Sequence, residues 1–259
     1  MFDLTALALN LPVFLLVLCR AGGIMITAPI LGSSSLPPQI RVALAALLSL
    51  VMYPFAAQYA GAMPASALGF VPLVLKELGL GLVMGFAAGM VIASVRAAGG
   101  LVAQQIGLGM GELASPEEEE EERDEVTLFF EILALLLFLA VDGHHWFIEG
   151  LAISWREVPV GHVALRPELM HSMSNQFCNV TVYALRAAAP LIAIMFLTDV
   201  VLALTSKAVP QMNILTVGYP VKVFIGLVSM ALTLPMMWPV IREAFHTLHF
   251  QLTHFSRIL

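Results

Sequence analysis

The two apolar stretches that most strongly suggest membrane-crossing helices are Leu78–Val95, 18 residues, and Val223–Ile241, 19 residues, neither holding a charge. As helices they would each rise about 27–29 Å, close to the roughly 30 Å hydrocarbon core of a bilayer. A water-soluble globule has no comfortable place for two such rods. The rest of the composition agrees. Of 259 residues 59% are hydrophobic and 12% charged, against roughly 25% charged in an ordinary soluble domain, and the mean hydropathy is +0.91. An ordinary soluble enzyme, a disordered chain and a nucleic-acid binder are disfavoured together. Cys19 and Cys178 lie far apart inside apolar stretches and read as small buried hydrophobes rather than a disulfide framework. The apolar surface must meet lipid, other subunits or both.

The full set of apolar segments is Leu4–Leu31, Val42–Ala57, Leu68–Val95, Val126–Val141, Asn179–Leu204 and Val223–Ile241. Several are short or hold an ionisable group within or beside them: Arg20, Glu131, Arg186 and Asp199. A charge facing hydrocarbon costs about 2.5–3.5 kcal/mol on insertion scales, so each should face protein or water. Asp199 with Arg186 is a conceivable ion pair, although 13 residues apart they need not share a face. Pro12, Pro29, Pro54, Pro72, Pro190, Pro235 and Pro239 punctuate the segments, each removing a helix hydrogen bond. Gly81, Gly85 and Gly89 recur every four residues and leave one helix face open to close approach by another. Lysine and arginine are spread too thinly for the positive-inside rule to orient the chain. At the C-terminus, over 243–259, Phe245, Leu248, Leu252, Phe255 and Leu259 follow a 3-4 spacing, predicting an amphipathic helix.

The formal net charge is −6, but residues 117–125 hold eight acids and one arginine. That run is −7 and the remainder +1, so the acidity is one local device. Ser115, Pro116 and Glu118 form a capping-box start, which predicts that the run opens a helix continuing into Val126–Val141. Immediately before it, within a loop expected over 105–116, Gly107, Leu108, Gly109, Met110, Gly111, Glu112 and Leu113 alternate glycine with larger side chains. The spacing does not match a dinucleotide fingerprint. It suits a flexible loop whose leucine and methionine could plug a narrow opening. The sequence holds no HExxH, GxSxG or P-loop. Adjacent His144 and His145 are expected to point apart, and His246, His249 and His254 lack a carboxylate or cysteine at ligand spacing. No catalytic residue, metal or cofactor is assigned.

The connection after the fifth apolar segment is more specific. Val209, Pro210, Gln211, Met212 and Asn213, followed by Gly218, Pro220 and Lys222, form a polar, Pro/Gly-punctuated link between two apolar runs. It resembles the signature loop of the FliR family of flagellar export-gate proteins, related to the T component of injectisome type III secretion systems. Further blocks agree in order: Arg20 with Pro29, Gly32, Pro37 and Arg41; Lys76-Glu77 with Gly79, Gly81 and Gly85; Gln105 to Leu108; and Leu135 to Phe138 followed by Gly143-His144. The resemblance spans nearly the whole chain. The six consecutive glutamates from Glu117 depart from it.

The resemblance implies a single FliR-like domain over 1–259. It implies an all-α protein of integral-membrane type, its kinked apolar hairpins packed in a hetero-oligomeric helical assembly. The implied partners are FliP and FliQ homologues, with FlhA and FlhB beside them, membrane lipid, and unfolded export substrates passing through. The implied place is the bacterial inner membrane at the flagellar basal body, and the implied role is structural rather than enzymatic. Gly107 to Leu113 would be the loop that plugs the pore, and Gln211, Asn213 and Lys222 would hold the helix turn and contact partners. An injectisome subunit is the near alternative. A secondary transporter, which broken helices would also suit, is the distant one.

Overall fold

The computed structural model describes residues 10–29, 37–61, 66–107, 125–163, 167–209 and 214–258. Among these the chain is helical throughout, without a strand: α1 (Leu11–Thr27), α2 (Pro38–Ala56, closed by a short 3-10 turn, Ala57–Tyr59), α3 (Ala67–Ile106), α4 (Glu125–Ala140), α5 (Gly143–Glu157), α6 (Pro167–Ala208) and α7 (Ile214–Ile258). Four helical stretches are long and apolar enough to cross a membrane: Pro38–Tyr59, Leu68–Ile106, His171–Ala208 and Val217–Leu248. A fifth arises if α4 and α5, bent by 63° at their junction, make one broken span.

The apolar runs seed these helices but do not bound them. α3, α6 and α7 have 40, 42 and 45 residues, a rise of roughly 60–68 Å, twice the hydrocarbon thickness. Lys76 and Arg96 interrupt the apolar character of α3 without interrupting its backbone. Pro72, Pro190, Pro220, Pro235 and Pro239 all lie inside continuing helices. Each forgoes a backbone hydrogen bond that neighbouring groups in an apolar helix can replace. The C-terminal amphipathic stretch is the end of α7, with Phe245 and Leu248 buried.

The chain divides into two compact units. One comprises Met1–Val91, Phe138–Phe177 and His246–Leu259; the other comprises Ile92–Leu137 and Cys178–Phe245.

In the first unit α1 lies backbone-to-backbone on α3. A Cβ added at Gly23 would sit 2.6 Å from the Leu78 carbonyl, and one at Gly81 would collide with the Arg20 carbonyl. A Cβ at Gly85 would strike the Thr27 hydroxyl and come within 2.7 Å of the Ile24 carbonyl, and one at Gly89 would stop 3.4 Å from the Thr27 carbonyl. The Thr27 hydroxyl itself lies 3.1 Å from the Gly23 carbonyl and 3.0 Å from that of Leu82, sharing one proton between two acceptors.

This close approach seats a fully buried ion pair. Arg20 Nε donates to Glu77 Oε2 at 2.6 Å, with both side chains at 0% exposure. Arg20 Nη1 donates to Ser154 Oγ at 3.1 Å, and both terminal nitrogens lie 3.2 Å from the Val158 carbonyl. Glu77 Oε1 accepts the Gly161 amide at 2.8 Å, and the guanidinium lies 6.0 Å from the centre of the Trp155 ring. α1, α3, α5 and the turn after α5 are thus tied at one point. The same unit holds the α4–α5 corner. Asp142 there takes a left-handed conformation (φ 55°), and Gly143 leaves room for the Phe138 ring, which meets Trp146 edge-on and Phe147 at a tilt.

In the second unit, Phe130 of α4 covers Gly99 of α3, where a Cβ would stand 2.7 Å from the phenyl Cβ. Val102, Ile106, Ala134, Leu191, Met195 and Ile241 are buried with it.

Candidate functional site

The last turn of α3 delivers Gln105 and Ile106 to separate contacts in the second unit, and Gly107 ends it. Gln105 Nε2 donates to Asp199 Oδ2 of α6 at 3.3 Å. The amide orientation follows from chemistry, since a carboxylate only accepts. Ile106 is fully buried and fills the space over Gly226 of α7, where a Cβ would stand 2.6 Å from its Cγ1. Gly107 turns out of the helix with φ +94°, a conformation that favours glycine. Its amide still bonds back to Ala103 and Gln104 at 3.0 and 3.1 Å. A Cβ at Gly107 would lie 3.8 Å from the Tyr219 ring of α7.

Asp199 is in turn paired with Lys222 of α7, whose Nζ lies 2.9 Å from Oδ1 and 3.2 Å from Oδ2. The lysine is 22% exposed and the aspartate 40%. Lys222 belongs to the signature segment, and Gln105–Gly107 is the foot of the plug-like loop. The structure therefore brings together two motifs more than 100 residues apart.

Of the plug-like residues, Gly107 is described as above, whereas Leu108, Gly109, Met110, Gly111, Glu112 and Leu113 lie outside the described residues. So do the capping-box start at Ser115 and all of the acidic run except Glu125, the first residue of α4. In the signature segment, Pro210, Gln211, Met212 and Asn213 are also outside, and Val209 is exposed.

Four expectations need correction. Cys19 is half-buried and Cys178 exposed, rather than both being buried. The second half of the signature segment is helix rather than loop: Gly218, Pro220 and Lys222 sit in the first turns of α7, since the apolar character beyond Ile214 favours helix strongly enough to carry it through Pro220, which forgoes one backbone hydrogen bond. Asp199 does not pair with Arg186. Thirteen residues turn the two to different faces of α6, and the partners are Lys222 for Asp199 and Glu243, at 3.7 Å, for Arg186. His144 and His145 do not diverge. They begin α5 beside left-handed Asp142, with ring centres 4.3 Å apart, and the three residues bring ligand-type atoms within 4.8 Å of one another on an exposed corner.

Sequence reasoning missed the joining of Gln105 to Asp199, and Glu77 as the partner of Arg20. The last had a signal: two opposite charges in apolar helices each require a partner.

The chain matches the family described as bacterial export proteins, family 1, over residues 11–248, and it belongs to that family. It is 31% identical over 225 residues to the flagellar biosynthetic protein FliR of Aquifex aeolicus (84% of this chain, 83% of that one). It is 28% identical over 242 residues to that of Caulobacter vibrioides (90% and 94%), and 26% identical over 228 residues to that of Escherichia coli K12 (88% and 86%). The class is one of export components built from membrane-capable helices.

Proposed function

We propose that this chain is a structural subunit of the flagellar type III export gate. It assembles with FliP and FliQ homologues in the inner membrane at the basal body, with FlhA and FlhB alongside, and unfolded flagellar subunits pass through the assembly. The flagellar names of its relatives support this reading over an injectisome one. The observation that carries the assembly is the surface of three membrane-capable helices. The apolar windows of α2, α6 and α7 are only 17%, 22% and 28% buried, and they present Leu47, Phe177, Phe196, Phe224, Leu232 and Met236 outward. Two of these helices are about twice as long as a bilayer core is thick, so lipid cannot cover them along their length, and subunit surfaces can.

In this reading the chain performs no bond chemistry. It supplies wall and closure. Gly107 turns the backbone out of α3 and starts the loop through Leu113 that restrains leakage when no substrate is present. Detergent extraction of the tagged chain is the test: FliP and FliQ homologues should co-purify in fixed ratio, and their consistent absence overturns the assembly.

A further inference from the structure

We propose that the α4–α5 corner binds a divalent metal ion of the Zn2+ kind through Asp142, His144 and His145. The site stands on the corner's own residues and is independent of the export-gate role. Its floor is apolar. Gly143 and Phe147, four residues apart on one face of α5, are buried, and the Phe138 ring fills the space that a Cβ at Gly143 would need. That seating fixes which way the first turn of α5 faces, and it leaves His144 and His145 outward with Asp142. Asp142 joins them from a left-handed backbone (φ 55°), a conformation aspartate adopts more readily than most residues. The corner is closed by two backbone hydrogen bonds: the Asp142 amide donates to the Leu139 carbonyl at 3.0 Å, and the His145 amide to the Asp142 carbonyl at 2.9 Å.

The ligand atoms face one another without satisfying one another. His145 Nδ1 and Asp142 Oδ1 are 4.0 Å apart, too far for a hydrogen bond. The two imidazole rings lie 4.3 Å apart centre to centre, and one ligand atom from each of the three residues falls within 4.8 Å of the other two. Around a tetrahedral ion with bonds of roughly 2.0–2.2 Å, ligand atoms stand about 3.3–3.5 Å apart. The side chains are exposed, so small rotations close the difference. Two imidazoles and one carboxylate suit Zn2+ and its neighbours, whereas Mg2+ and Ca2+ take oxygen ligands. Three protein ligands leave a fourth position to water.

The test uses the full-length chain with its co-extracting assembly, stripped of metal by chelator and then dialysed against Zn2+. Wild type should take up one Zn2+ per chain more than the triple variant Asp142→Asn, His144→Gln, His145→Gln. Each single variant should weaken that ion by about tenfold or more, since the loss of even an outer-shell partner costs about 10–100-fold. Asparagine tolerates the left-handed backbone as aspartate does, so Asp142→Asn removes the charge and keeps the corner. Excess Mg2+ should not displace the ion.

Equal uptake by wild type and the triple variant marks an adventitious ion only and overturns the site. Wild-type affinity in any single variant overturns the three-ligand assignment, and displacement by Mg2+ overturns the class of ion. Should the variants fail to accumulate, hydrogen exchange in wild type decides: Zn2+ should slow the amides at 143–146, and unchanged exchange there overturns the site.

Discussion

Among the described residues, two of the ion pairs that join helices differ sharply in how far they are enclosed. Arg20–Glu77, in the first unit, is sealed, and its hydrogen-bonding groups are met by a carboxylate, a hydroxyl, a carbonyl, an amide and an indole face. Asp199–Lys222, in the second unit, is partly exposed and has one further leg, Gln105. Ions brought out of water cost several kcal/mol each, and only full satisfaction offsets it. The first pair is therefore a fastener that must not be half broken. The second keeps water's help, so losing one partner costs far less. An apolar chain can thus hold ion pairs of very unequal consequence, and the degree of enclosure distinguishes the two.

The contrast is most sharply broken at Glu77. Glu77→Leu leaves a guanidinium buried without its counter-charge and should destabilise the detergent-purified chain by about 3–5 kcal/mol, read as a large loss of thermal stability or of accumulated protein. Adding Arg20→Met should recover most of that loss, because a buried pair replaced by apolar groups is often neutral. If the single and double variants are equally unstable, charge burial is not what the site is about.

Next in size is the helix approach that seats the pair. Gly81→Ala places a methyl group on the Arg20 carbonyl, a backbone atom that cannot swing aside. A cost of about 1–3 kcal/mol is expected from such overpacking. Gly79→Ala, two residues earlier with nothing within 4 Å, should be neutral or stabilising by up to about 1 kcal/mol. Equal effects at the two positions would mean that backbone proximity is not what holds α1 to α3.

The smallest effect belongs to the second pair. Lys222→Gln should change global stability by no more than about 1 kcal/mol in the same thermal assay. A loss as large as that of Glu77→Leu would make the two pairs equivalent and end the comparison.

Much of the fold was legible because apolar runs and helices coincide at their centres. Asn179–Leu204 and Val223–Ile241 fall inside helices of the structure, and Val42–Ala57 and Val126–Val141 overrun theirs by one residue each. Helix ends were not legible, since Lys76 or Arg96 ends an apolar run but favours helix as well as most residues do. α5 was missed outright. It is only partly apolar, holding His144, His145, Glu149, Arg156 and Glu157 in 15 residues, and a search for apolar segments passes over it. The site was half legible. Its two motifs stand out in the chain, but that Gln105 meets Asp199, 94 residues on, depends on how α3 and α6 pack. No local pattern encodes that.

The sealed pair also has a schedule. Arg20 is made 57 residues before Glu77 and 138 before Val158. At synthesis rates of about 5–20 residues per second, its counter-charge emerges roughly 3–11 s later and its carbonyl acceptor roughly 7–28 s later. For that interval α1 carries an unanswered cation. α1 cannot complete the polar contacts of Arg20 before α5 and the turn after it have been made.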